Sequence, residues 1–143
     1  MKADTTTKKK PCIPVQSESS IQIACVGWFK MQYRNIEPLL FAVPNGGKRQ
    51  MKTIIKKGVA RDVPIEAIRM GKEGLTSGVS DLILLIARGE YSSLCIEMKS
   101  KIGTQSPEQK SWQKQAEKHG NKYAVCHSLE QFMTEINNYL KLE

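Results

Sequence analysis

Two short runs of this chain carry residues whose types and spacing could do metal-assisted chemistry on an anionic substrate. Asp81 opens the apolar run Asp81-Leu82-Ile83-Leu84-Leu85-Ile86-Ala87, and Glu97-Met98-Lys99 closes the next run, Leu94 to Lys99. Between them Arg88 to Ser92 is polar and contains Gly89, so the pair reads as two strands joined by a short turn. Side chains alternate along a strand, which puts Glu97 and Lys99 on one face and Ile96 and Met98 on the other. A turn centred near Gly89 and Glu90 sets Asp81 opposite the Met98–Lys99 end. Two carboxylates and an ammonium then converge on the rim of a sheet, a set suited to a divalent metal and a water poised to attack phosphate.

An acid-x-Lys triplet by itself is weak evidence, since Glu108-Gln109-Lys110 is another. The inert alternative for Glu97 and Lys99 is a solvated ion pair at a strand end. Asp81 weighs against it, because aspartate is depleted in strands and costly near a core without a partner.

The elements that must position these residues follow from periodicity. Ser17 to about Tyr33 predicts a helix, with Ile21, Ala24 or Cys25, Trp28 and Met31 as its buried stripe. Glu18 and Gln22, four apart, share a face bordering that stripe. An acid in the first turn also complements the helix dipole with no further role. Leu39 to Val43 predicts a short strand stopped by the turn sequence Pro44-Asn45-Gly46-Gly47. Lys48, Arg49, Lys52, Lys56, Lys57 and Arg61 crowd the next segment, and Pro64 to about Lys72 predicts a helix. Gly74-Leu-Thr-Ser-Gly78-Val-Ser leads into the hairpin as a tight loop or a plain connector.

After Lys99, Ser106-Pro107-Glu108-Gln109 has the form of a capping box, which offers Gln109 a local structural role. In the helix that follows, Trp112 and Ala116 supply the buried side. Lys110, Lys114 and Lys118 make a stripe that reads equally as a phosphate track or a solvated face. Gly120 ends this helix, Tyr123 to Cys126 predicts a strand, and Ser128-Leu-Glu-Gln131 is a second capping box. Leu129, Phe132, Ile136 and Leu140 mark an amphipathic terminal helix. His119 and His127 read as helix-end and loop residues.

Length and charge bound the whole. The 143 residues suit one domain, residues 17–143, behind a flexible basic tail over 1–16 that includes Lys8-Lys9-Lys10. A net charge of +8, from 22 Lys and Arg against 14 Asp and Glu, points to polyanions, nucleic acid ahead of membrane surface. No apolar run is long enough to span a bilayer, and the first residues lack a signal-peptide core. Cys12, Cys25, Cys95 and Cys126 are scattered. They form neither a zinc pattern nor a disulfide framework, so a reducing, cytoplasmic setting is expected, with Cys95 and Cys126 in the core.

The order helix, strand, basic segment, hairpin, helix, strand, helix is most economically packed as an α/β fold, a mixed central sheet flanked by helices. With Asp81 opening one strand and Glu97-x-Lys99 closing the next, this restriction-endonuclease-like αβββαβ core resembles the PD-(D/E)xK nucleases. Within them it is most similar to stand-alone VRR-NUC domains. The matching residues are Glu18-x-x-x-Gln22, Pro44-Asn45-Gly46-Gly47 with Arg49, Gly74-x-x-x-Gly78-Val-Ser-Asp81-Leu, Ile96-Glu97-Met98-Lys99, Ser106-Pro-Glu-Gln109 and Gly120. They run from about residue 17 to the end of the chain. Ser80 stands where the superfamily pattern has proline, a change that removes no metal ligand.

The resemblance implies a metal-dependent DNA endonuclease. Asp81 and Glu97 would bind Mg²⁺ or Mn²⁺ with the Met98 carbonyl, and Glu18 would complete the site. Lys99 would orient and activate the attacking water or stabilise the transition state. Gln22 and Gln109 would line the site, and Asn45 and Arg49 would lie near the substrate backbone. Hard oxygen ligands suit Mg²⁺ better than zinc. Nothing resembles a base-reading module, so recognition by nucleic-acid shape is expected; the resemblance implies a homodimer acting on branched DNA such as four-way junctions. So compact a basic nuclease fits a bacterial or phage origin. Two readings stay open beside it: a non-catalytic nucleic-acid-binding protein on the same fold, and an RNA-directed nuclease. Whether 50–62 is a DNA-binding insertion or an extra surface helix also stays open.

Overall fold

The computed structural model describes residues 16–44, 52–56, 58–63 and 65–143, with the backbone alone at 52–56, 59–63 and 65–67. Of the expected tail only Gln16 falls within these, and Cys12, Asn45, Gly46, Gly47, Lys48 and Arg49 lie outside the described residues.

Helix α1 spans Glu18–Gln32, and the Ser17 side chain caps it by accepting from the Ser20 amide at 3.2 Å. A 3₁₀ turn, Arg34–Leu39, leads into β1, Leu40–Ala42. A hairpin, β2 Lys52–Lys56 and β3 Val59–Val63, and helix α2, Ile65–Lys72, follow. The remaining order is β4 Leu82–Leu84, β5 Leu94–Met98, α3 Pro107–Lys118, β6 Lys122–Cys126 and α4 Leu129–Leu140. The main sheet runs β1-β4-β5-β6, antiparallel except for the parallel pair β5–β6, which α3 connects. The expected mixed sheet flanked by helices is therefore observed, with β2, β3 and α2 inserted between its first two strands. Within the basic segment, the described residues 52–56 and 59–63 form the strands of a hairpin, not a helix.

α1 and α4 cover one face of the sheet. Ile21, Cys25 and Phe29 of α1 meet Phe132, Ile136 and Tyr139 of α4 over Leu82, Leu84, Ile96 and Met98. The α1 stripe repeats every four residues, so Phe29 is fully buried and Met31, expected inside, is 70% exposed. Trp28 sits at the margin, edge-on to Phe132 with ring centroids 6.1 Å apart. α3 covers the other face over β6, where Trp112 packs on Tyr123 at 6.0 Å and Ala116 is buried. Cys25, Cys95 and Cys126 are free thiols in the interior. Among the described residues, no helix is long and apolar enough to cross a membrane.

β4 is shorter than the expected run to Ala87. Past Leu84 the end of α4 replaces the strand partner: the Tyr139 hydroxyl donates to the Ile86 carbonyl at 2.6 Å, and Arg88 Nε donates to the Leu140 carbonyl at 3.3 Å. Arg88 and Tyr91 exchange both backbone bonds at 2.9 Å around Gly89 and Glu90, so the turn is where the sequence puts it. The strands, however, pair Leu84 with Leu94 and Leu82 with Ile96. Three residues separate Leu84 from Arg88, but two separate Tyr91 from Leu94. This extra residue is a bulge that slips the register by one. Extended outward, it sets Asp81 opposite Glu97 rather than Met98, and so on the face of Glu97 and Lys99.

Candidate active site

Glu97 is the next-to-last residue of β5, a strand buried along its whole length, and is itself 0% exposed. A carboxylate there needs partners, and it has three. Lys99 Nζ stands 2.9 Å from Glu97 Oε1, Gln109 Nε2 donates to the same oxygen, and the Tyr123 hydroxyl donates to Oε2 at 3.3 Å. Burial pushes the Glu97 carboxyl up to about 7; the Lys99 hydrogen bond opposes this and the Asp81 charge adds to it. Burial works to lower the Lys99 ammonium, but the hydrogen bond and charge of Glu97, with Glu18 and Asp81, outweigh it and leave it raised. Lys99 is therefore a charged donor held at the floor of the site.

Asp81 caps the sheet edge in two ways. Its carbonyl accepts from the Val43 amide at 2.9 Å, which ties it to β1, and its Oδ2 accepts from the Met98 amide at 2.8 Å. Glu18, at the start of α1, reaches the same place from the helix layer: its Oε1 is 3.9 Å from Lys99 Nζ and accepts from the Ser100 amide at 3.2 Å. It lies in the first turn as the dipole reading requires, and it also joins the site.

Gln109 holds two positions at once. The capping box of α3 is complete, since the Ser106 hydroxyl accepts from the Gln109 amide and Gln109 Oε1 accepts from the Ser106 amide at 2.8 Å. With its oxygen fixed on the cap, the side-chain NH₂ is aimed at Glu97. Gly78 makes this approach possible. Its φ is +81°, and a Cβ there would lie 2.6 Å from the backbone of Glu108. The loop expected as tight or merely connecting is thus a contact surface for the first turn of α3.

Glu18, Pro44, Gly78, Asp81, Glu97 and Lys99 line an open cleft of about 790 Å³, with Ser106 and Gln109 on its α3 side. Gln22 does not face it. It lines an adjoining groove of about 590 Å³ along α1, which shares only Glu18 and Asp81 with the cleft. Lys110 and Lys114 are exposed on α3, which fits either of their two readings. The Met98 side chain is 1% exposed in the core, so only its backbone is available to a ligand. Tyr123 is the site residue that periodicity did not single out; its signal is the alternation along β6, which pairs Tyr123 with Cys95 on the site face. Gln105 supports it, donating at 3.4 Å to the Tyr123 hydroxyl and at 2.9 Å to Gln113. Ser80 is fully buried and donates to the Leu82 carbonyl at 3.3 Å.

Among the described residues no three His, Cys, Asp or Glu side chains gather into a metal cage. The donor set nonetheless fits a hard cation of the Mg²⁺ kind, which takes one or two carboxylates and keeps several waters. Asp81 and Glu97 are such a pair, and the charge of one raises the carboxyl of the other, a repulsion that a cation relieves.

The architecture and the site together define a nuclease-type α/β domain. The model of the VRR-NUC domain matches residues 16–130, and the chain belongs to that family. A solved structure described as a VRR_NUC domain protein superposes with a TM-score of 0.72 at 24% identity, over 91% of this chain and 93% of that one. It is a likeness of fold. No curated protein matches the chain.

Proposed function

We propose that this protein is a metal-dependent deoxyribonuclease, an endonuclease that hydrolyses phosphodiester bonds in branched DNA such as four-way junctions and acts as a homodimer. One observation carries the reading: Glu97 is wholly buried at the floor of an open cleft, paired with Lys99 at 2.9 Å, with Asp81 facing it across the sheet. Sequestering an acid this way has a folding cost that a purely structural strand would avoid. The net charge of +8 supports a polyanionic substrate.

Asp81, Glu97 and the Met98 carbonyl would hold the ion, with Glu18 approaching from α1. A divalent cation bound there, Mg²⁺ or Mn²⁺, supplies neutralisation of the phosphate charge and a more acidic water. The chain's own residues do the rest. Lys99, charged and anchored by Glu97, donates toward the attacking water or the phosphoryl oxygens. Gln109 and Tyr123 hold the Glu97 carboxylate in one orientation, so little reorganisation is needed when substrate enters. Gln22 and Lys30 line the groove beside Asp81, a path for the strand leaving the site.

Labelled duplex, single-stranded, flap and four-way-junction DNA, each with Mg²⁺, Mn²⁺ or EDTA, test this directly. Metal-dependent cutting, fastest on the junction and lost in Asp81→Ala, is the expected result. Full cleavage by that variant would sink the site assignment, and binding without any cutting would leave the fold as a recognition module. A matched RNA competitor that is cut equally well would overturn the DNA assignment.

A further inference from the structure

The hairpin β2–β3 stands apart from the catalytic sheet. Among the described residues, β1, β4, β5 and β6 complete their pairing without it, and it pairs only with itself, Lys52 with Val63 through Lys56 with Val59. Gly58, at φ +75°, belongs to the turn that closes it. Cross-strand partners share a face, and faces alternate along each strand. The register therefore assigns Lys52, Lys56 and Arg61 to one face, together with Ile54, Val59 and Val63. Thr53, Ile55, Ala60 and Asp62 take the other. Asp62 is the one acid between residues 45 and 64, and it falls on the face that carries no cation.

Both ends of the insertion are fastened to the catalytic cleft. The chain leaves the body at Pro44, which lines the cleft, and returns through Leu75 and Thr76, which line it too. Five residues of strand reach roughly 16 Å, and Lys52 and Lys56 are about 13 Å apart along it. The major groove of B-DNA, about 12 Å wide, admits a two-stranded ribbon of this kind.

We propose that the β2–β3 hairpin is a nucleic-acid-binding ribbon, holding the duplex that flanks the cut site through Lys52, Lys56 and Arg61. The inference rests on the nuclease reading for the identity of its ligand. It makes the insertion the part of the chain that grips DNA and leaves the cleft to cut it. The ribbon binds phosphates, so it sets affinity and position rather than sequence preference.

The test uses the full chain in EDTA, with labelled duplex and four-way-junction DNA and anisotropy read over a range of salt concentrations. In Lys52→Ala/Lys56→Ala/Arg61→Ala, affinity falls at least tenfold at low salt, and the slope of log K against log salt drops by about 2 to 3, near 0.9 for each phosphate that is no longer neutralised. The charge-retaining Lys52→Arg/Lys56→Arg/Arg61→Lys keeps both values. If the triple variant melts early, Lys56→Glu alone, beside the turn, must weaken binding; unchanged affinity there overturns the proposal. An unchanged slope in a folded triple variant overturns it as well. So does unchanged affinity with a halved mass in light scattering, which would make the ribbon an interface between copies of the chain. Because nothing is cut in EDTA, a wild-type protein that binds through the ribbon but never cleaves would refute the catalytic assignment and leave the ribbon standing.

Discussion

Two helices of this chain begin with the same local pattern and do different things with it. α3 starts Ser106-Pro107-Glu108-Gln109, and α4 starts Ser128-Leu129-Glu130-Gln131. In both, the serine hydroxyl accepts from the glutamine amide, at 3.3 Å in α3 and 3.2 Å in α4. In both, the glutamate carboxyl is lowered by its own backbone N–H and then by the serine hydroxyl. The glutamines part company. Gln109 closes its box on the Ser106 amide and spends its NH₂ on Glu97, whereas Gln131 accepts from the His127 amide at 2.8 Å, one residue outside the cap. The cap is a property of the local sequence, and the contact with Glu97 is a property of what stands opposite. α3 has Gly78 beneath its first turn and a buried carboxylate within reach; Gln131 is solvent-exposed.

Substitutions at paired positions sharpen the contrast. The largest effect belongs to the group Gln109 serves: Glu97→Gln takes Mg²⁺-dependent junction cleavage below detection while anisotropy still shows DNA bound. Gln109→Ala lowers cleavage by roughly 10- to 100-fold, the usual cost of losing a residue that orients a metal ligand, and Gln131→Ala leaves the rate within twofold. Equal losses from the two glutamines would erase the distinction. Gly78→Ala costs about 1–3 kcal/mol in urea unfolding and also slows cleavage, because α3 must back away from Glu97; a stability loss with an unaltered rate would show that Gln109 still reaches Glu97 by another route. The serine caps stay equivalent, Ser106→Ala and Ser128→Ala each costing about 1 kcal/mol. The smallest effect is in acid. A carboxyl lowered in the folded state contributes stability that is present above about pH 4.5 and lost as pH falls through its folded value. Glu108→Gln and Glu130→Gln therefore flatten the acid limb of the pH–stability curve by similar small amounts, measured by thermal melts from pH 7 downward.

Much of the fold is legible because each element is written in local terms. The caps at Ser17, Ser106 and Ser128, the turn at Gly89 and Glu90, and the apolar periods of α1 and α4 identify themselves. Periodicity puts the α1 stripe one side off, with Met31 inside. Ile21, Cys25 and Phe29 repeat at intervals of four, while the other reading alternates threes and fours; both are helical, and only the position of α4 chooses between them. The hairpin at 52–63 is legible as a basic segment but not as a ribbon. Two short strands that, among the described residues, pair with each other alone, and whose cations interrupt the apolar alternation, carry little periodic signal.

The sequence by itself determined the chemistry on offer: Asp81, Glu97 and Lys99 as residue types, the strands that carry them, and the capped helix starts that carry Glu18 and Gln109 in their first turns. Their assembly into one site was decided by tertiary structure. A turn centred on Gly89 and Glu90 with unbroken pairing would set Asp81 against Met98, and its side chain would point to the apolar face. The bulge after Leu84, where Tyr139 and Arg88 tie the strand to the end of α4, shifts the register by one residue. Because side chains alternate with a period of two, that single residue moves Asp81 across the sheet to face Glu97. The local sequence contains no record of it, since the groups that draw the strand away lie some fifty residues further along the chain.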